Sequence, residues 1–265
     1  RRAALELGLE LRGARHGRLR RGQQRLELAG EIRGFVGPRR RPGPTRPRGA
    51  HDPPRLPDVL DAAALDLAGD DDTLEGVRCD GGEAAGRCVD SLTVRAAVLV
   101  GCRLTGAALS GLDMLDVVVR DCDLSGANLA GAVLRRVTFE RCRLSGLVAN
   151  DLSATDVSVR DCRADGAWLR AARLEHCDIA DSEMTGSDWY GAEVRRSRIV
   201  RTRLDESELS TAVFADVALH GSSLSGVRGA ALRDVVIGSD QVIEVAVAVF
   251  GTYGIVIDDE ADVPG

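Results

Sequence analysis

Lysine is absent from this chain, and all 35 basic residues are arginine. That excludes a P-loop lysine and a Schiff-base lysine. Aromatic residues make up 3% of the 265 positions, too few for a conventional globular core. The interior must therefore come from Leu, Val, Ala and Ile within an apolar fraction of 44%, which suits a narrow, regular core. No apolar run reaches the roughly 18–20 residues of a membrane helix, so no membrane association is expected. Neither GxSxG nor HExxH occurs, and no catalytic residue is assigned; the chain reads as a non-enzyme. Cys79 and Cys88 have no second pair to complete a zinc site, so neither metal nor cofactor is expected. An odd number of cysteines, seven, without a secretory signal predicts reduced thiols and a cytoplasmic location. The chain starts at Arg1 and its methionines are Met114 and Met184. That start reads as a fragment, a processed end or a mis-assigned start.

What is present is a beat. Cys102, Cys122, Cys142 and Cys162 stand 20 residues apart, each followed two residues later by Leu104, Leu124, Leu144 and Ala164. Ser182, Thr202 and Ser222 continue the cysteine column. Nested inside is a period of five. Every fifth residue from Leu74 to Leu224 is apolar, through Leu129, Phe139, Trp189 and Phe214 among others. The residue two before each of these centres is never charged from Leu92 to Ser222. Neither a helical nor a strand period fits. Five within twenty gives coils of four short sides, each with two inward residues: an all-β solenoid whose layers stack on one another. The Cys102–Cys162 column is read as small buried side chains, with Leu104, Leu124, Leu144, Leu129, Phe139 and Phe214 in the same core. A second column, Gly106, Gly126, Gly146, Gly166, Gly186 and Gly226 with Glu206 as its exception, marks a tight corner with positive φ.

Charge divides the chain. Residues 1–55 hold 15 Arg against 5 acids, and residues 56–265 hold 20 Arg against 36 acids. Seven of the eight prolines fall in 36–57. Residues 1–57 are therefore expected to be a basic, disordered arm or a spurious extension, with a nucleic-acid-binding arm as the functional reading. Residues 58–73 are assigned to an N-terminal cap, 74–228 to the repeats and 229–265 to a C-terminal cap. Residues 74–96 fit the repeat poorly, which predicts an irregular first coil. Ser239 or Asp240 is the expected N-cap of a helix to about Phe250, chosen over the strand that Val245, Val247 and Val249 alternating with alanines would also allow, and followed by a short strand over Ile255–Ile257.

These residues resemble the pentapeptide repeat family, whose motif is A-(D/N)-L-x-x. Ala127-Asn128-Leu129, Cys122-Asp123-Leu124, Cys177-Asp178-Ile179 and Ser187-Asp188-Trp189 carry the likeness over about residues 74–228. The middle position departs from the motif where it is Val, Arg, Ser or Thr. The resemblance implies a right-handed quadrilateral β-helix with a C-terminal capping helix and short strand. Some family members imitate duplex DNA to inhibit or protect DNA gyrase, with quinolone resistance as one outcome. Here the outward columns mix signs: Asp121, Arg141, Asp161, Asp181 and Arg201 in one, Arg103, Asp123, Arg143, Arg163, Glu183 and Arg203 in another. An unbroken acidic stripe is missing from both.

The sequence therefore points first to a protein-interaction scaffold of unknown partner. The alternative is a DNA-mimicking regulator of gyrase. The acidic repeats are not expected to bind DNA directly. Asp121, Asp161 and Asp181 are the acidic candidates for an interaction surface. Trp168 and Tyr190, expected outward while Trp189 points inward, are its aromatic candidates. Homodimerisation through Phe250 and Tyr253 of the C-terminal cap is a further expectation.

Overall fold

The computed structural model describes residues 49–65, 68–229, 232, 234–253 and 255. The chain divides into residues 1–45 and residues 46–265, and all described residues belong to the second unit. That unit is a parallel β-solenoid of about nine turns. Its register is the sequence period: Thr93 pairs with Asp113, Asp113 with Val133, and Val133 with Ser153. Further along the rod Arg173 pairs with Glu193, and Glu193 with Val213. The coil expected to be irregular is regular, since Thr73–Glu75 and Val77–Asp80 both pair with Thr93–Val100.

Each coil has four sides, named here by the coil of Met114, Val119, Leu124 and Leu129. Every fifth residue from Asp71 to Gly226 has positive φ, so all four corners use the same left-handed turn. The chain must change direction every five residues, and a single left-handed residue does it. Glycine adopts that φ without steric penalty, whereas a Cβ strains it. At Gly106, Gly126, Gly146, Gly166 and Gly186 an added Cβ would meet nothing within 4 Å. The backbone angle, not crowding, therefore explains that column, and Glu206 holds the same angle at φ 59°. Aspartate at Asp116, Asp121, Asp151, Asp156, Asp161 and Asp181 is a residue type that tolerates this region. Arg136, Arg141, Arg196 and Arg201 adopt it against their preference.

The two inward columns form one continuous buried core. Its largest fully buried side chains are Trp189 and Phe214, whose ring centroids lie 6.3 Å apart at 49°. The column of Cys, Ser and Thr is more than filler. The Cys102 N–H donates to Cys122 Sγ at 3.3 Å, Cys142 N–H to Cys162 Sγ at 3.4 Å and Cys162 N–H to Ser182 Oγ at 3.2 Å. Thr202 N–H donates to Ser222 Oγ at 3.1 Å. Cys122, Cys162, Ser182 and Ser222 thus each satisfy a buried backbone donor of the coil before, which a plain alanine would leave unpaired.

Both ends are closed, as an open parallel sheet requires. At the first coil Leu65 and Ala68 are buried, and Asp61–Ala62 pairs with Val77–Arg78. At the last, Val217–Ala218 pairs with Val235–Val236. A 3-10 turn, Ser239–Gln241, then leads into helix α1, Val242–Thr252. Neither Ser239 nor Asp240 caps the helix by a side-chain bond. Instead Gln241, 4% exposed, acts as a plug. Its Nε2 donates to the carbonyls of Leu219 and Ser222 at 2.8 and 2.6 Å, and its Oε1 accepts the Gly238 N–H at 2.7 Å. The strand expected over Ile255–Ile257 lies outside the described residues, apart from Ile255, which is not in a strand.

The proline-rich stretch needs a correction. Most of the expected disordered arm lies outside the described residues, but residues 49–57 are not free. They run along one edge of the solenoid, held by the N–H groups of Gly49, Asp52 and Arg55. Proline excluded helix and central strand; it did not exclude an extended segment pinned to a neighbouring surface. No helix among the described residues is long and apolar enough to cross a membrane.

Candidate functional site

The outer surface carries whatever this rod does, because its interior is sealed. The corner between the Val119 and Leu124 sides holds Asp121, Arg141, Asp161, Asp181 and Arg201 in axial order. Residues 20 apart in sequence lie one coil apart here, so opposite signs meet. Arg141 grips Asp121 with two bonds of 2.8 and 2.9 Å, and Arg201 grips Asp181 with two of 2.6 Å. Those guanidinium bonds hold both carboxyls below the usual carboxylate range. Asp161 is exposed, without an ion-pair partner among the described residues. Along the Leu124 side Glu83–Arg103, Asp123–Arg143 and Glu183–Arg203 pair at 3.1, 3.6 and 2.8 Å. Elsewhere Glu140–Arg120 and Glu208–Arg228 repeat the pattern at 2.8 and 3.1 Å. Exposed pairs of this kind contribute about 0–1 kcal/mol each. Their larger effect is to neutralise the surface locally, giving a checkerboard in place of a continuous acidic face.

The Leu129 side is different. Trp168 and Tyr190 occupy consecutive coils and are 51% and 50% exposed. The Arg170 guanidinium lies 5.9 Å from the Trp168 ring centroid and pairs with Asp188 at 2.6 Å. Asp188 also accepts the Tyr190 N–H at 3.0 Å. The structure thus brings both aromatic candidates onto one side, with Arg170 and Asp188 tying them together. The sequence reading missed Arg170. Its signal was the two-residue step from Trp168, which keeps both side chains on one outer face.

The cysteine ladder faces inward. Cys102, Cys122, Cys142 and Cys162 are all buried, as are Leu104, Leu124, Leu144, Leu129, Phe139 and Phe214. Burial pushes the Cys79 thiol up to about 11 and the Cys177 thiol to about 12. His176 and Cys177 are neighbours in sequence, and of the two Cys177 is buried at 1% exposure. Among the described residues no group of three or more His, Cys, Asp or Glu is arranged to hold a metal ion.

Two family patterns match the repeats. A family pattern described as a pentapeptide repeat region matches residues 132–209. One described as pentapeptide repeats (8 copies) matches 94–126 and 113–146. Residues 94–209 of the rod are pentapeptide repeats. Among solved structures, full-length QnrB1, a plasmid-mediated fluoroquinolone resistance protein, is 21% identical to it. That match covers 67% of this chain and 100% of QnrB1, with a TM-score of 0.31. HetL, a pentapeptide repeat protein involved in heterocyst differentiation regulation in Nostoc sp. strain PCC 7120, is 18% identical. The match covers 63% of this chain and 87% of HetL at a TM-score of 0.24. A pentapeptide repeat protein of the Arabidopsis thaliana thylakoid lumen is 19% identical, over 48% of this chain and 75% of that one, at a TM-score of 0.24. No curated protein matched the sequence.

Proposed function

We propose that this pentapeptide repeat solenoid is a non-enzymatic scaffold that engages a protein partner through the Leu129 side. The observation carrying this reading is the exposed Trp168–Tyr190 pair with Arg170 between them, in a chain with 3% aromatics. Trp, Tyr and Arg are the residue types that dominate interface energetics when a partner covers them. The surrounding acid–arginine pairs keep the rest of the rod soluble without a strong field of one sign. A reducing compartment, the cytoplasm, suits thiols that serve as buried hydrogen-bond acceptors. Within the same proposal a second copy docks on α1, whose Ile243, Val247, Phe250 and Tyr253 are exposed. Sedimentation reporting a monomer at high concentration would remove that dimer.

The scaffold reading is tested by capture of a partner with the full chain and with Trp168→Ala/Tyr190→Ala. The double variant should lose a partner that the native chain retains. Equal capture by both would place the interface elsewhere. The DNA-mimic reading needs an acidic stripe, and the ties of Arg141 to Asp121 and Arg201 to Asp181 count against one. Titration into a gyrase supercoiling assay should leave activity unchanged. Inhibition that Asp161→Arg/Asp181→Arg relieves would displace the scaffold reading in favour of mimicry.

A further inference from the structure

The segment from Gly49 to Pro57 touches the solenoid in a repeating register. The Gly49 N–H donates to the carbonyl of Arg196 at 3.0 Å, Asp52 N–H to Asp156 Oδ1 at 3.1 Å and Arg55 N–H to Asp116 Oδ1 at 2.9 Å. The donors are three residues apart. The acceptors are 40 residues apart, which is two coils along one corner. The two repeats match in length. Three residues of polyproline II advance about 9.3 Å and bring the same face of the chain round again. Two coils of a parallel stack advance about 9.6 Å. An extended proline-rich chain laid against this corner therefore stays in phase with it and offers one N–H to every second coil.

The corner is built for such a chain. Asp116 is 9% exposed, accepts the Arg55 N–H, and is held by Arg136 through bonds of 2.6 and 2.7 Å. A fixed, charged acceptor makes a stronger bond to a peptide N–H than a neutral one. Gly49 is buried at φ +67°, where a Cβ would overlap the Arg198 side chain, so the chain lies close to the surface there. Pro53 and Pro54 fall between the donor positions and Pro57 lies beyond the last of them, so none removes a bond. They restrict the chain to extended conformations and lower the entropy lost on docking.

We propose that the corner column from Arg196 to Asp116 is a recognition track for extended, proline-rich peptides. Residues 49–57 fill it in cis, and displacing them opens it to a proline-rich segment of another protein. The required pattern is a non-proline residue at every third position, with proline tolerated between. The track is separate from the Trp168–Tyr190 face, and neither depends on the other.

The test uses the full chain carrying Asp52→Pro, which deletes one donor and loosens the strap while leaving every solenoid residue unchanged. A fluorescent peptide of the native sequence 49–57 is titrated and followed by anisotropy. The native chain should bind weakly or not at all, because its track is filled. The Asp52→Pro chain should bind, and adding Asp116→Ala and Asp156→Ala should weaken binding at least about tenfold, since two charge-assisted bonds are lost. A labelled peptide with proline at the donor positions should fail to bind. Hydrogen exchange supplies the second measurement. In the native chain the amides of Asp52 and Arg55 should be protected. The proposal is overturned if they exchange as in an unstructured peptide. It is overturned equally if the Asp52→Pro strap is released, the solenoid stays folded, and no peptide binds at about 1 mM. Pairing of two chains through exchanged straps, suppressed by the added peptide, would show that a second copy, and not a foreign peptide, is the occupant.

Discussion

The indole Nε1–H of Trp189 donates to Ser187 Oγ at 2.7 Å, and Ser187 in turn shares a 2.9 Å bond with Ser207 one coil on. All three residues are fully buried. The widest side chain of the core is thus tolerated because a column of small hydroxyls satisfies its one polar atom. Ser187→Ala leaves that N–H buried without a partner and should destabilise the rod by about 1–3 kcal/mol. Ser187→Thr keeps the hydroxyl and should recover part of the loss. Equilibrium denaturation of both variants checks the difference.

The interior is underfilled around Ala149, Ala154 and Ala164, where a cavity of about 80 Å³ is lined by Leu, Phe139 and Trp189. Ala164 sits in the column that elsewhere carries Leu104, Leu124, Leu144 and Leu204. Leu147 stands at a position that is usually small and makes up part of the missing volume. Ala164→Leu should stabilise by about 1–2 kcal/mol by filling the void. A lowered melting temperature would mean that Leu147 already occupies the path of the new side chain.

Asp116 links strap and rod. The Arg136 guanidinium, with help from the Arg55 N–H, holds its carboxyl below the usual carboxylate range. A depressed carboxylate contributes stability that is fully present above about pH 3.9 and is lost as pH falls through the lower, folded-state value. Acidification below pH 4 should therefore free residues 49–57 before the solenoid itself unfolds. Limited proteolysis across that range should show cleavage near Arg55 first. In Asp116→Asn the acid-dependent step should be blunted.

The thiols offer an alkaline counterpart. Cys79 and Cys177 are pushed by burial from 9.0 up to about 11 and about 12. The unfolded chain ionises first, so stability should hold below pH 9 and fall between about pH 9 and 12. At pH 8, alkylation of the folded protein should modify Cys88, which is exposed, well before the six buried cysteines. Mass spectrometry of the labelled peptides gives the order directly. Rapid modification of Cys122 or Cys142 would show that the coils open locally.

The repeat was legible because its rules are local. An inward position five residues from the last must be apolar wherever the coil runs, and a corner needs a residue that accepts positive φ. Leu129, Phe139 and Phe214 could be placed in the core without knowing their neighbours. Trp168 and Tyr190 could be placed outside by the same count. Arg170 was overlooked because its partnership with Trp168 and Asp188 depends on two coils meeting. The first coil read as irregular because Cys79, Ala84 and Val89 depart from the motif, yet small apolar side chains still fill those positions.

The sequence alone determined the period, the four-sided coil and the inward columns, since each follows from residue volume, polarity and backbone preference at a fixed spacing, whereas the alternation of Val245, Val247 and Val249 left helix and strand both open for the terminal segment. Only the tertiary structure decided which charges meet, because Asp121 and Arg141 become neighbours through stacking. Stacking also made the cysteine column a ladder of hydrogen-bond acceptors and let Gln241 close the last coil. It fixed the course of residues 49–57 as well. Composition could say that this stretch is extended. Where it rests follows from the two-coil distance that separates Asp116, Asp156 and Arg196 along one corner, a length that exists only once the coils are stacked.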